Sequence, residues 1–233
     1  QSMLQDALNA FPDCLPEGQT SLVAYRDDFH QGVVGIVASR LKDRFYRPTI
    51  VFAPADNGEV RGSGRSIPKL HLRDAIDLVS KRHPDLILKF GGHAMAAGLS
   101  ILQQDIEHFQ VAFEKVVREL VSEDDLLQTH IIDGSLPVAD ITLLQAQKIA
   151  MHVWGQGFAP PSFTDEFKVI KQQPMGVNHK KAWLEKDGYE FEAMFWRCTT
   201  DIPAKIRTVY RPVANEWRNN IELQLYIDYW ETV

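Results

Sequence analysis

From Phe163 to Trp230 the chain repeats one pattern five times, a short run of strand-forming residues followed by a turn. The runs are Phe163 to Lys171, Val177 to Lys186, Tyr189 to Thr199, Ala204 to Val213 and Ile221 to Trp230. Asp187-Gly188 and Asn219-Asn220 separate consecutive runs, and such pairs accept the backbone of tight hairpin turns. In the last run Ile221, Leu223, Leu225, Ile227 and Tyr229 alternate with Glu222, Gln224, Tyr226, Asp228 and Trp230, which predicts one buried and one wet face. Five short strands preceded by a helix, here Ala139 to Val153, suit a small barrel of the oligonucleotide-binding type. A small sandwich would carry the same pattern.

The first half obeys a different rule. Ser21 to Tyr25 has strand character, Val33, Val34, Ile36, Val37, Leu41 and Phe45 form one apolar helical face, and Thr49 to Ala53 is a continuous apolar run of the kind found in central strands. Strand, helix, strand predicts a crossover unit. Leu72, Ile76 and Val79 mark a second helix ending near His83-Pro84, and Leu86-Ile87-Leu88 reads as a strand that runs into Lys89-Phe90-Gly91-Gly92-His93-Ala94-Met95-Ala96-Ala97-Gly98. Strand resumes at Leu99 to Ile101, and Ile106, Phe109, Phe113, Val116, Val117 and Leu120 form a third helical stripe. The expected organisation is the end of an interdomain linker over 1–19, an α/β domain with a mixed sheet and flanking helices over 20–125, and a connecting helix with a five-stranded β-barrel over 126–233. Ile131-Ile132 reads as a brief strand between them. Leu4 to Phe11 reads as the end of a helix, and Gln1-Ser2-Met3 as an added start on a piece of a longer protein.

Charge and cysteine content narrow the classes. Of 233 residues 45% are hydrophobic and 24% charged, and the net charge of -6 argues against broad wrapping of nucleic acid, so any such site must be local. Cys14 and Cys198 lie far apart without metal-ligand spacing, which fits a reducing cytoplasm and predicts neither a disulfide framework nor a zinc site. No apolar run is long enough to span a bilayer, so no membrane association is expected.

The polar chemistry concentrates in a few places. Paired glycines at Gly91-Gly92 let a phosphate approach backbone N–H groups, with His93 as a further donor, although Gly-Gly-His also serves as a tight turn with a packed histidine. In Arg61-Gly62-Ser63-Gly64-Arg65-Ser66, Ser63 and the Arg65 guanidinium make an anion cradle or a solvated strand end. His30 stands before a helix N-terminus, where it contacts a ligand or caps the turn. In the barrel, Lys180, Lys181, Trp183, Trp196, Arg197 and Trp217 mix cations with aromatics, as single-strand binders do, and as ordinary cores do with their aromatics. No cluster of aspartates and histidines has the spacing of a two-metal site, and no phosphate-binding Walker loop occurs.

His30-Gln31-Gly32-Val33-Val34-Gly35-Ile36-Val37-Ala38-Ser39-Arg40-Leu41, Gly62-Ser63-Gly64-Arg65-Ser66-Ile67-Pro68 and Gly91-Gly92-His93-Ala94-Met95-Ala96-Ala97-Gly98 together resemble the bacterial RecJ family of the DHH phosphoesterase superfamily. Trp154-Gly155-Gln156-Gly157-Phe158 with Pro160 and Pro161 looks like that family's link into its barrel. The resemblance implies the C-terminal substrate-binding part of a 5′-to-3′ single-stranded-DNA exonuclease of recombination and repair. Its divalent metals, Mn2+ or Mg2+, would be held by a preceding Asp-His-His domain that this chain lacks, leaving the chain alone inactive. It further implies Ser63 and Arg65 at the terminal phosphate, Gly91, Gly92 and His93 beside the scissile phosphate with His93 in the catalytic role, and a strand guided by the barrel. Single-stranded DNA is the implied partner, with a single-strand-binding protein as a second. A non-catalytic single-strand-binding module and a short-oligonucleotide phosphodiesterase of the same superfamily are the alternatives.

Overall fold

The apolar runs at Leu22–Tyr25 (β1) and Thr49–Pro54 (β2) pair in parallel, and the helix Val34–Phe45 (α1) crosses between them. The computed structural model describes residues 11, 14–155 and 157–233. The helix expected over Leu4 to Phe11 and the Gln1-Ser2-Met3 start therefore lie outside the described residues, Phe11 excepted. Tyr46, at φ 49, closes α1 in the left-handed conformation two residues ahead of Pro48. Asn57 and Gly58, both at positive φ, then reverse the chain into β3, Glu59–Arg65. The helix α2 (Leu72–Arg82), the strands β4 (Lys89–Gly92) and β5 (Ala96–Leu102) and the helix α3 (Ile106–Leu120) follow.

The sheet order is β1-β2-β3-β5-β4, and only β1 and β2 run parallel. The polar segment Glu59–Arg65 is thus the middle strand. Its alternation explains how: Val60, Gly62 and Gly64 turn to a core built with Ile50, Phe52, Leu72, Leu99 and Phe109 under α2 and α3, while Arg61, Ser63 and Arg65 turn to the other face. That second face is covered over β1 and β2 by Val34, Val37, Ala38 and Leu41 of α1. The carboxylate of Glu114 on α3 accepts from the backbone N–H and hydroxyl groups of Thr20 and Ser21 at 2.6–2.9 Å, which pins the start of β1 to the helix.

Leu86-Ile87-Leu88 is not a strand. Leu86 and Ile87 are buried after the Pro84-Asp85 turn, with Asp85 at φ 69, and pairing begins three residues later at Lys89. Apolarity there reports burial, which a bent segment achieves as well as a strand does.

After residue 128 the chain forms a second unit, Thr129–Val233. Ile131-Ile132 forms no strand, and Ile131 is 90% exposed. The expected helix contracts to α4, Leu143–Ala150, because Thr142 caps it with Oγ1 accepting from the Gln145 N–H at 3.2 Å. Strands β6 (Phe163–Met175), β7 (His179–Lys186), β8 (Tyr189–Phe195), β9 (Lys205–Trp217) and β10 (Asn220–Thr232) close in the order β10-β8-β7-β6-β9. Only β8 and β10 are parallel. This is the oligonucleotide-binding topology, and the sandwich reading falls away.

Asp187-Gly188 turns at positive φ as expected, whereas the last hairpin turns on Arg218-Asn219, one residue earlier than the sequence pattern places it, leaving Asn220 to open β10. The alternation of β10 also breaks. A register shift between Ile227 and Tyr229 turns Trp230 toward the core and leaves Tyr229 outside, as a β-bulge does. Inside, the buried Asp165 carboxylate accepts from Ser135 Oγ (2.5 Å), Lys186 Nζ (2.6 Å), Tyr210 OH (2.8 Å) and the Leu136 N–H (3.2 Å). Burial, with that bond to Asp165, pushes the Tyr210 hydroxyl pKa far up.

Candidate nucleic-acid interface

On the face that α1 leaves open, the register aligns Arg61, Ser63 and Arg65 of β3 with Ser100, Gly98 and Ala96 of β5, and Gly98 with Gly91 of β4. A groove of about 410 Å³ runs over Ser63, Gly98 and Gly91, with Val34 of α1 at one side and Arg61 and Lys89 on the rim. Its floor is two glycines deep. A methyl on Gly91 would meet nothing within 4 Å, and one on Gly98 only the Gly62 carbonyl oxygen at 3.7 Å. The fold therefore has no steric reason for glycine at either place.

The other glycines of these strands answer to packing. A Cβ on Gly62 would lie 2.6 Å from Phe52 Cε1, one on Gly64 2.7 Å from Leu72 Cδ2, and one on Gly92, at φ +146, 2.4 Å from the Ala96 carbonyl oxygen. Gly62 and Gly64 face the core, Gly62 against Phe52 and Leu99 and Gly64 against Leu72 of α2, so it is the residues between and beside them that reach the open face. Gly92 belongs to the hairpin geometry, and Gly91 to the open floor.

Ser63 and Arg65 stand beneath the start of α1. Val33 offers no side-chain cap; the Ile36 N–H already donates to the Val33 carbonyl at 2.9 Å, which leaves the Val34 and Gly35 N–H groups as the uncapped donors at the positive end of the helix dipole. Gly35 lets the arginine come close, since a Cβ there would lie 3.2 Å from Arg65 Nη2 and 3.7 Å from Ser63 Oγ. Among the described residues the guanidinium is anchored by one bond, Nη1 to the Gly64 carbonyl at 2.8 Å. Arg61 donates to Gln31 Oε1 at 3.2 Å, and Gln31 is itself held by the Pro54 carbonyl at 2.9 Å. Helix N–H groups, a hydroxyl and a guanidinium over a bare strand floor form an anion-binding arrangement.

His93 opens the β4–β5 hairpin loop, and the backbone around it is tied down. Its N–H donates to Ala96 O (2.8 Å), Leu72 N–H to Ala94 O (2.9 Å) and Ser66 N–H to Met95 O (3.0 Å). The imidazole is exposed and, among the described residues, makes no hydrogen bond, so the packed-histidine reading does not hold. His30 caps the turn before α1 and not the helix itself: its Nδ1 accepts from the Gly32 N–H at 3.0 Å, and the residue is exposed.

The barrel residues part ways. Lys180 points inward with its side chain 7% exposed, bonded to Asp201 (2.6 Å) and Gln172 (3.1 Å), and so is not presented to a strand. Trp183 lies on the outer face with two ammonium groups over its ring, Lys171 at 5.0 Å and Lys181 at 5.3 Å, and Lys181 also pairs with Glu192 at 2.6 Å. Arg197 is exposed beyond the end of β8, at φ 56, its N–H donating to His179 Nδ1 at 2.9 Å. Gly35, Lys89 and Gly98 join these surfaces from within stretches the sequence already marks, though not as individual candidates, whereas His179 and Tyr226 join them with no such signal.

Among the described residues no three His, Cys, Asp or Glu side chains gather as cation ligands. A divalent cation therefore finds no ligand set in them. No helix among the described residues is long and apolar enough to cross a membrane.

The DHHA1 domain model matches residues 18–119 and the RecJ OB domain model residues 132–229. The chain is 42% identical over 229 residues to the single-stranded-DNA-specific exonuclease RecJ of Haemophilus influenzae, covering 94% of the chain and 39% of that protein. It is 40% identical over 234 residues to the protein of the same name from Escherichia coli, covering 97% and 40%. The crystal structure of Thermus thermophilus RecJ in complex with Mg2+ superposes with a TM-score of 0.71 at 22% identity, over 100% of this chain and 35% of that one, and shares its fold; the Mn2+ complex gives 0.71 at 21%, over 100% and 33%. The chain thus spans about 40% of the length of the curated relatives it matches. With a DHHA1 domain followed by a RecJ OB domain, it belongs to the RecJ family.

Proposed function

We propose that this chain is the substrate-binding part of a 5′-to-3′ single-stranded-DNA exonuclease of DNA recombination and repair. The groove receives the 5′-terminal phosphate on Ser63, Arg65 and the first turn of α1, and the bare floor at Gly98 and Gly91 carries the sugar-phosphate backbone onward. His93 stands at the end of that floor as a donor to the next phosphate. The barrel holds the strand farther along with Lys181, Trp183 and Arg197; Lys180 supports the barrel from inside, and His30 shapes the entry to α1. The hydrolytic chemistry, with Mg2+ or Mn2+, is assigned to the part of RecJ proteins outside this chain, so the chain alone binds without cleaving. A cytoplasmic location and contact with a single-strand-binding protein are proposed with it, as is a domain boundary near residue 125.

The observation that carries the reading is the pair Gly91 and Gly98, glycines that packing does not require, beside a capless helix start and an arginine. Binding of 5′-phosphorylated against 5′-hydroxyl oligothymidylate tests it. The wild-type chain should prefer the phosphorylated end, and Arg65→Ala should lose about 10- to 100-fold of that preference, at about 1.5–3 kcal/mol for a charge-assisted bond. A wild-type chain indifferent to the 5′ phosphate would leave a barrel-only binding module as the better reading.

A further inference from the structure

The barrel carries a second cavity, away from the β7 surface where Trp183 stands. It measures about 290 Å³ and opens where the parallel pairing of β8 with β10 ends, between the segment Trp196 to Thr200 and the bulged stretch Ile227 to Trp230. That volume suits one ring system and excludes a folded strand. Two of its walls are large aromatics left in water, Trp196 at 44% and Tyr229 at 46% exposure. The bulge at Asp228 keeps Tyr229 outside when strict alternation would bury it.

Trp196 also heads an aromatic file. Its ring lies 5.0 Å from His179 and 5.5 Å from Tyr226, both edge-on, so the indole is braced from β7 and from β10 and loses little entropy on receiving a ligand. Tyr229 is braced in turn by His130 at 5.2 Å. The polar lining is short: Thr199, Thr200, Arg197 in its left-handed turn, and Asp228, whose carboxylate accepts from Nε and Nη2 of Arg211 at 2.7–2.8 Å. Asp228 is therefore neutralised against a polyanion. An aromatic slot with threonines along it, its one carboxylate already paired with an arginine, fits a nucleobase on a strand whose phosphates stay outside.

We propose that this cavity is a base-stacking subsite in which Trp196 and Tyr229 hold one unpaired base of single-stranded DNA. The proposal rests on the single-strand reading above and adds a place on the barrel to it. A base stacked on Trp196 lies on the β8–β10 side, so the strand passes from the β7 surface across β8 toward β10.

The experiment is a double-mutant cycle between protein and DNA. Oligothymidylate, and the same oligonucleotide with abasic positions, are titrated against the wild-type chain, Trp196→Ala and Tyr229→Ala by fluorescence anisotropy. Stacking predicts affinity about 5- to 150-fold weaker for Trp196→Ala, an abasic penalty in the wild type, and no further abasic penalty once Trp196 is gone. Trp196→Phe should recover part of the loss, which a folding defect at 196 would not allow. Additive abasic and Trp196→Ala effects would overturn the subsite while leaving single-strand binding standing. A wild-type chain that binds no oligothymidylate would overturn both.

Discussion

The five glycines on β3, β4 and β5 divide by what a methyl group would meet, and substituting them one at a time tests the groove at its floor. Gly62→Ala drives a methyl to 2.6 Å from Phe52 Cε1 and 2.8 Å from Leu99 Cδ2, both fully or nearly buried, so the core must shift. Overpacking of this kind costs about 1–3 kcal/mol. Gly92→Ala meets backbone at 2.4 and 2.5 Å while holding φ at +146, and should cost roughly 3 kcal/mol or more, because neither atom is the end of a flexible side chain. Gly98→Ala meets only an ordinary contact at 3.7 Å, and Gly91→Ala meets nothing. A Gly-to-Ala change at a compatible site stabilises by about 0.4–1 kcal/mol through the unfolded chain.

Calorimetry should therefore show the α/β unit melting lower for Gly62→Ala and Gly92→Ala, by about 4–8 °C per kcal/mol, and unchanged or slightly higher for Gly91→Ala and Gly98→Ala. Affinity for a 5′-phosphorylated oligonucleotide should run the other way. A Cα–Cβ bond lifts a ligand resting on Gly98 by about 1.5 Å, and a displacement near 1 Å can lower a positioned reaction on the order of 100-fold. If Gly91→Ala and Gly98→Ala bind the oligonucleotide as the wild type does, nothing rests on that floor. If Gly98→Ala melts as low as Gly62→Ala, the division of the glycines by face is wrong.

Three further outcomes are expected. Asp165→Ala removes the one acceptor shared by Lys186, Tyr210 and Ser135, and leaving a buried ammonium without its carboxylate should cost about 3–5 kcal/mol in urea unfolding of the barrel; a change below about 1 kcal/mol would make the hub ornamental. Burial alone would raise the Glu114 pKa, but hydrogen bonds from Ser21, Thr20 and Arg118 outweigh it and hold the pKa below the ordinary 4.5. Its contribution is thus complete above that value and is lost as pH falls through the lowered folded-state pKa; Glu114→Gln should flatten this acid-side decline in urea midpoints, and an unchanged decline would assign it to other carboxylates. In a protein with the whole RecJ length, His93→Ala should cut turnover about 100-fold or more with the melting temperature unchanged, and near-normal turnover would return His93 to a structural part.

Strand and helix existence was legible where apolar periodicity set it, at α1, β2, α3 and all five barrel strands. Elsewhere it was not: Ile131-Ile132 forms no strand, and three further places lacked information about direction. Leu86-Ile87-Leu88 declared burial but not conformation. The Gly62-Ser63-Gly64-Arg65 run declared small residues without saying which of them faced α2, and register alone places Gly62 and Gly64 inward and Ser63 and Arg65 outward. In β10 the alternation was unbroken in sequence, yet the bulge at Asp228 moved Trp230 in and Tyr229 out. Lys180 illustrates the same limit: one position from Lys181, it faces the interior because successive strand residues point oppositely.

The two candidate surfaces also differ in how their cations are engaged, and that difference is measurable. In the groove, Arg61, Arg65 and Lys89 pair with no carboxylate among the described residues, so a phosphate finds charge ready to receive it. On the barrel Lys181, Lys205, Arg207 and Arg211 are each held by a glutamate or aspartate at 2.6–2.9 Å, so a strand that recruits any of these four must displace an ion pair, and stacking is the alternative to doing so. Each phosphate neutralised on single-stranded DNA contributes about 0.7 to the slope of log affinity against log salt. Arg65→Ala should therefore lower that slope by roughly 0.7 for a 5′-phosphorylated oligonucleotide, whereas Trp196→Ala should weaken binding at every salt concentration and leave the slope alone. Should the two substitutions lower the slope equally, the groove and the barrel share one electrostatic mode, and the assignment of end recognition to one and base stacking to the other fails.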